Sequence, residues 1–260
     1  MTQHNLVGRT EDEVLWHQRR SFLKNAGAWT ALGGFGTAYA QQRSNVVELR
    51  GDAQVNGQRL QALQSIQTGD SVETGPGSRL VFVIGSTSFL VRQNSRLKVE
   101  RGATLNTVSV LRLLTGAVAS VWGKGSSRQI ITPTLTAGIR GTGVYTEVQP
   151  AQGFRTYLCN CYGQIDLAVG PNRAVSQSIY HQSFWAEPQQ SSPGRFLRPA
   201  KSLDHTDEEL EVLARLVSQS TQWQMTGQRG VMNGSGFPQE RPDLRHPGLG
   251  PLDTDNKVNK

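Results

Sequence analysis

Two cysteines, Cys159 and Cys161, stand two positions apart and are the only two in the 260-residue chain. Side chains at i and i+2 of an extended strand point to the same face, so both sulfurs can address one object. Two thiolates on one face chelate a soft transition metal once further ligands reach them. His181 and His205, in Tyr180-His181 and Asp204-His205-Thr206, are the candidates. If the segment after the strands folds back, either imidazole could complete a Cys2His2 set. Two other outcomes compete with a metal or other cofactor: a disulfide, and two separate thiols. An extended i,i+2 pair sets its Cα atoms ~6.5–7 Å apart, at or beyond disulfide reach. A bridge would therefore need a bend at Asn160, and its small ring would be strained and readily reduced. The C-x-C spacing with two distant histidines is a looser pattern than paired C-x-x-C knuckles.

The elements that must position these residues read as strands. From Val46 to about Val169 the chain is built of short runs rich in Val, Ile, Leu and Thr, broken by glycines. Leu80-Val81-Phe82-Val83-Ile84, Ser88-Phe89-Leu90-Val91 and Val108-Ser109-Val110-Leu111 are typical. Helical periodicity is absent from this stretch. The fold class is all-β, a sandwich or a short solenoid. Three strand–Gly–strand units, centred on Gly85, Gly116 and Gly163, are expected to stack or pair with one another. After Tyr180 the character changes. Thr206 and Glu209 form a capping box ahead of Leu210, Leu213, Leu216 and Val217, which predicts one amphipathic helix over 207–218. From Gly227 the chain is rich in Gly, Pro, Asn and Asp and reads as a disordered tail. The expected organisation is a leader over 1–40, a β domain over 41–180, an extension over 181–226 and a tail over 227–260.

The leader has three parts. Arg19-Arg20-Ser21-Phe22-Leu23-Lys24 is a twin-arginine signal, a modest apolar segment follows, and Ala38-Tyr39-Ala40 is a small-x-small cleavage site. Arg19, Arg20, Phe22, Leu23, Lys24, Ala38 and Ala40 thus predict export to the periplasm by the twin-arginine route. That route resembles an exporter of already folded proteins, often with a cofactor loaded inside the cell. The chain carries a net charge of +7, of which about +6 stays with residues 41–260. A basic surface suits a protein or an anionic envelope polymer as partner. Basic residues are not interleaved with aromatics in a dense stripe, so nucleic acid is not expected. No apolar run approaches the ~20 residues that span a bilayer.

Gly69-Asp70-Ser71-Val72-Glu73-Thr74-Gly75, with Ser78-Arg79-Leu80 and Ser95-Arg96-Leu97, resembles the first half of the FecR domain. Thr132-Pro133-Thr134 leading to Gly138-Ile139-Arg140-Gly141-Thr142 is similar to that domain's most recognisable signature. The resemblance runs from about Val46 to Val169. It implies an exported β domain used in signalling or binding. Members of that family sit behind a cytoplasmic anti-sigma segment and a membrane helix; here a cleavable leader stands in the helix's place. On physical grounds Gly138, Gly141 and Gly143 suggest a tight, bulged strand. Arg140 is expected to satisfy carbonyls or an acid beneath the sheet through its five donors.

Catalytic patterns are missing from the sequence. There is no G-x-S-x-G elbow, H-E-x-x-H helix or phosphate-cradling loop. Glu208 and Glu209 read as solvated acids at a helix start, where they suit the helix dipole. Trp185 and Trp223 read as anchors of the terminal helix on the β domain.

Overall fold

The computed structural model describes residues 44–125, 128–190 and 193–227. The export signal and the tail beyond Gly227 lie outside them. In chain order the strands are β1 (Val46–Arg50), β2 (Ala53–Val55), β3 (Gln58–Arg59), β4 (Ser71–Thr74), β5 (Arg79–Ile84), β6 (Thr87–Val91) and β7 (Arg96–Arg101). They continue as β8 (Val108–Trp122), β9 (Arg128–Ile131), β10 (Thr136–Ile139), β11 (Gly143–Gln149), β12 (Arg155–Val169), β13 (Asn172–Ser178), β14 (Gln182–Ala186) and β15 (Leu197–Ala200). Two helices close the described chain, α1 (Asp207–Leu216) and α2 (Gln222–Thr226). The fold is all-β with a C-terminal helical cap.

The strands form two sheets. The first runs β1-β5-β6-β8-β11-β12-β14-β15. The second runs β3-β2-β4-β7-β8-β9-β10-β12-β13. β8 and β12 belong to both because each is long enough to cross from one sheet to the other. The crossing points are glycines: Gly116 has φ +76° and Gly163 has φ +98°, backbone that other residues rarely adopt. The unit at Gly85 is different, a hairpin turn between β5 and β6. β6 pairs with β8, and β11 lies between β8 and β12, so the three units come together in one sheet.

Alternation along the strands builds two cores. Between the sheets, Phe82, Phe89, Trp122, Val118 and Leu158 from the first meet Val72, Leu97, Leu111, Ile130 and Leu167 from the second. The outer face of the first sheet is also apolar, carrying Val81, Leu90, Ala119, Val121, Tyr145, Tyr157, Cys159 and Cys161. Over it lie Leu210, Leu213 and Ala214 of α1 and Trp223 of α2. The described residues therefore form three layers: sheet, sheet and helices. The candidate residues sit between the first sheet and the helical layer.

Three expectations need correcting. The helix ends at Leu216 rather than 218, since Ser218 adopts φ +57° and breaks the run. A second helix follows, started by a capping box of Thr221 with Gln224. Arg140 does not reach beneath a sheet. Because Ile139 points into the core, Arg140 points out and pairs with Asp166 of the neighbouring strand at 2.8 Å, with both side chains exposed.

Candidate metal centre

β12 carries Tyr157, Cys159 and Cys161 outward, while Leu158 and Asn160 point into the sandwich. In a regular strand the two sulfurs would be held well apart. Here the register against β11 slips: Gly143 faces Tyr162 and Val144 faces Asn160, so Cys161 is the extra residue of a β-bulge. The bulge brings the sulfurs to 3.7 Å, with both thiols free. Glycine at 143 makes the bulge possible, because a Cβ there would lie 2.4 Å from the Tyr162 ring. Beneath it, the Thr142 hydroxyl donates to the Tyr162 carbonyl. The Asn160 amide donates to Ser176 Oγ at 2.9 Å and to the Gly163 carbonyl at 3.1 Å.

His181 enters from the turn ahead of β14. Its backbone N–H donates to the Cys161 carbonyl at 2.9 Å, tying it to the cysteine strand. Its φ is +38°, an uncommon left-handed conformation for a residue other than glycine. The ring is 5% exposed and stacks on Trp223 at 5.2 Å. His205 comes from the helical layer, next to the Thr206 N-cap of α1, and stacks flat on Tyr145 at 4.7 Å.

Ligand atoms of Cys159, Cys161, His181 and His205 all lie within 4.8 Å of one another. The distance from Cys159 Sγ to His181 Nδ1 is 3.4 Å, and from His181 Nδ1 to His205 Nε2 it is 3.1 Å. A tetrahedral zinc-class ion, with metal–sulfur bonds of ~2.3 Å and metal–nitrogen bonds of ~2.0–2.1 Å, has characteristic edges. They are ~3.8 Å between sulfurs, ~3.5 Å between sulfur and nitrogen and ~3.3 Å between nitrogens. Three of the six edges, at 3.7, 3.4 and 3.1 Å, come close to one edge of each kind, and the other three are no longer than 4.8 Å.

The outer nitrogens of both rings are already committed. His181 Nε2–H donates to Asp207 Oδ1 at 2.8 Å, and His205 Nδ1–H donates to the Leu203 carbonyl at 2.5 Å. Each bond fixes a tautomer and turns the other nitrogen's lone pair toward the sulfurs, the usual support of a metal-bound histidine. Asp207 is 1% exposed and also accepts from Tyr180 Oη at 3.0 Å. It occupies the first position of α1, where the helix dipole favours a negative charge.

Charge within the cluster follows from these contacts. Burial pushes the Cys159 thiol up, but the Cys161 S–H bond and the two imidazoles outweigh it and hold Cys159 well below the usual thiol range. Burial, and the hydrogen bond it gives to Cys159, push Cys161 well above that range. Burial alone would lower His181; the Cys159 charge and the Asp207 bond raise it to about 9. In the metal-free cluster these contacts favour negative charge on Cys159, a retained proton on Cys161 and positive charge on His181.

All four sequence candidates converge. Sequence reasoning missed Asp207 and Tyr180, although Asp207 directly follows the capping residue. It also misplaced Glu209, which is buried rather than solvated: the capping box turns it back to meet Arg79 at 2.9 Å and Arg92 at 2.8 Å. The signature residues lie elsewhere. Asp70 accepts from Asn56 at 2.8 Å and from the Gln67 N–H at 2.7 Å beside Gly69, and so shapes a turn. Gly141 has φ +70°, whereas Gly138 has room for a Cβ, with nothing nearer than 3.5 Å.

No family model matches the chain. No curated protein matches it either. Among solved structures it is similar to a candidate anti-sigma factor from Parabacteroides distasonis, with TM-score 0.42 and 8% identity. That likeness covers 56% of this chain and 64% of the other, less than two thirds of its length. No helix among the described residues is long and apolar enough to cross a membrane.

Proposed function

We propose that this chain is a transition-metal-binding β-domain module, exported to the periplasm, that holds a zinc-class ion between Cys159, Cys161, His181 and His205. The observation that carries this reading is the convergence of two sulfurs and two outward-braced imidazoles within 4.8 Å, three of their contacts close to the edge lengths of a tetrahedral ion. Four protein ligands leave no open position for a substrate, which favours a structural or sensing ion over a catalytic one. Cys159, His181 and Asp207 do run in the order of a nucleophile, its base and an orienting acid. Burial opposes that use, since Cys159 and Cys161 are 0% exposed and a second thiol and imidazole crowd the sulfur. The role is non-enzymatic sensing or scaffolding toward a protein or envelope partner, a task to which the FecR-like residues Gly69, Asp70, Gly138, Arg140, Gly141 and Thr142 also point. The twin-arginine leader agrees with a protein folded around its ion before export.

Native mass spectrometry of the protein recovered from the periplasm tests both halves. One ion per chain, lost on acidification, supports the reading. A bare chain that takes up no zinc refutes the metal site, and a chain retaining residues 1–40 refutes cleavage of the leader.

A further inference from the structure

The four ligands do not come from one layer. Cys159, Cys161 and His181 belong to the first sheet and its turn, whereas His205 belongs to the segment that leads into α1. Asp207, which braces His181, is the first residue of that helix. The ion would therefore bridge the β sandwich and the helical layer.

Besides the cluster, Tyr157 Oη donates to the Lys201 carbonyl and accepts from the Leu203 N–H, both at 2.9 Å, Arg92 donates to the Asp204 carbonyl at 2.8 Å, and Tyr180 Oη donates to Asp207 at 3.0 Å. Leu210, Leu213, Ala214 and Trp223 cover the outer face of the first sheet. The Ser88 hydroxyl donates to the Leu213 carbonyl at 2.7 Å, and Glu209 receives Arg79 and Arg92. The inter-sheet core contains no residue of α1 or α2, so the sandwich keeps its own core if the helices leave. The cluster itself spans the two layers: His181 Nδ1 on the sheet side lies 3.1 Å from His205 Nε2 on the helix side and 3.4 Å from Cys159 Sγ. An ion held there would make four bonds, three to the sheet side and one to the helix side.

We infer that this centre is a latch: metal occupancy docks the segment 201–226, and metal loss releases it and uncovers the apolar outer face of the first sheet around Leu90, Ala119 and Tyr145. This rests on the metal reading above. Linkage then requires reciprocity. Whatever weakens docking at a distance from the ion weakens ion binding by the same factor, provided the released state is the main metal-free one.

The test uses the full-length protein after chelation, titrated with Zn(II), and with Co(II) for its absorption spectrum. Hydrogen exchange is followed across α1, α2 and the strands. The expected result is that zinc slows exchange in α1 and α2 by about tenfold or more, while β4, β7 and β13 are unchanged. Emission from Trp223, which stacks on His181, should shift to shorter wavelength in the same titration. Leu213→Ala, which removes no ligand, should weaken zinc binding by about tenfold or more through the linkage. Ser88→Ala, a milder change in the docking contact, should weaken it in proportion to its effect on helix exchange. Zinc binding with unchanged helix exchange, or unchanged affinity in both variants, would overturn the latch and leave the metal site standing. Absence of any Co(II) spectrum or zinc uptake would overturn the metal reading, and the latch with it.

Discussion

Replacing Asp207 by asparagine separates a metal centre from a buried ion pair. The change is nearly isosteric. The new side-chain carbonyl can still accept from His181 Nε2, and the Tyr180 hydroxyl can turn to meet the new amide. What disappears is the negative charge, 2.8 Å from the imidazole and 1% exposed. A carboxylate behind a metal-bound histidine raises the basicity of the nitrogen that faces the ion, and its loss typically costs 10- to 100-fold in affinity. That corresponds to about 1.4–2.7 kcal/mol. In the metal-free protein the same change removes the negative charge that helps stabilise the His181 imidazolium, so its pKa falls from about 9. Competition between the protein and a chromophoric chelator reads the zinc affinity, and NMR titration of the imidazole reads the second effect. A His181 pKa that falls while zinc affinity stays within twofold would refute the reasoning: Asp207 would then be an ion-pair partner and nothing more.

Gly143→Ala forces a Cβ to within 2.4 Å of the Tyr162 ring, so the bulge must shift. The expected cost is about 1–3 kcal/mol in urea unfolding together with weakened zinc binding, and retained affinity would show that the bulge does not aim Cys161. Arg140→Ala should change stability by no more than about 0.5 kcal/mol in the same assay, because its pair with Asp166 is exposed. Zinc uptake near pH 7 should release protons, since the ion must displace those on Cys161 and His181. Affinity measured against pH should therefore rise through about 9, where His181 loses its proton, and go on rising above it on account of Cys161; a flat profile would contradict a protonated Cys161 and His181 in the metal-free cluster. In the metal-free protein the raised His181 contributes stability that is full below its unfolded pKa near 6.5 and fades as pH rises through about 9; thermal melts across that range measure it.

Much of this was legible from the residues. Alternation put Cys159 and Cys161 on one face, and Thr206 with Glu209 announced α1. That same capping box fixed where His205 would stand, just ahead of the N-cap. The bulge was not legible, because it depends on the register between β11 and β12, which pairing across the sheet decides. Nor was the burial of Asp207 and Glu209. Acids at a helix start suit the dipole whether or not the helix docks, so only the packed Tyr180, Arg79 and Arg92 reveal their roles. α2 carried a readable signal in Thr221 and Gln224, but five residues offer no periodicity to confirm it. Gly116 and Gly163 showed that the chain steps there; that it steps between sheets follows from strands long enough to serve both.

X-ray absorption at the zinc edge of the reconstituted protein tests the central claim most directly. Two sulfurs at ~2.3 Å and two nitrogens at ~2.0–2.1 Å are expected in the first shell. A shell of oxygen and nitrogen alone, with no sulfur at bonding distance, would contradict the assignment of Cys159, Cys161, His181 and His205 as a metal centre.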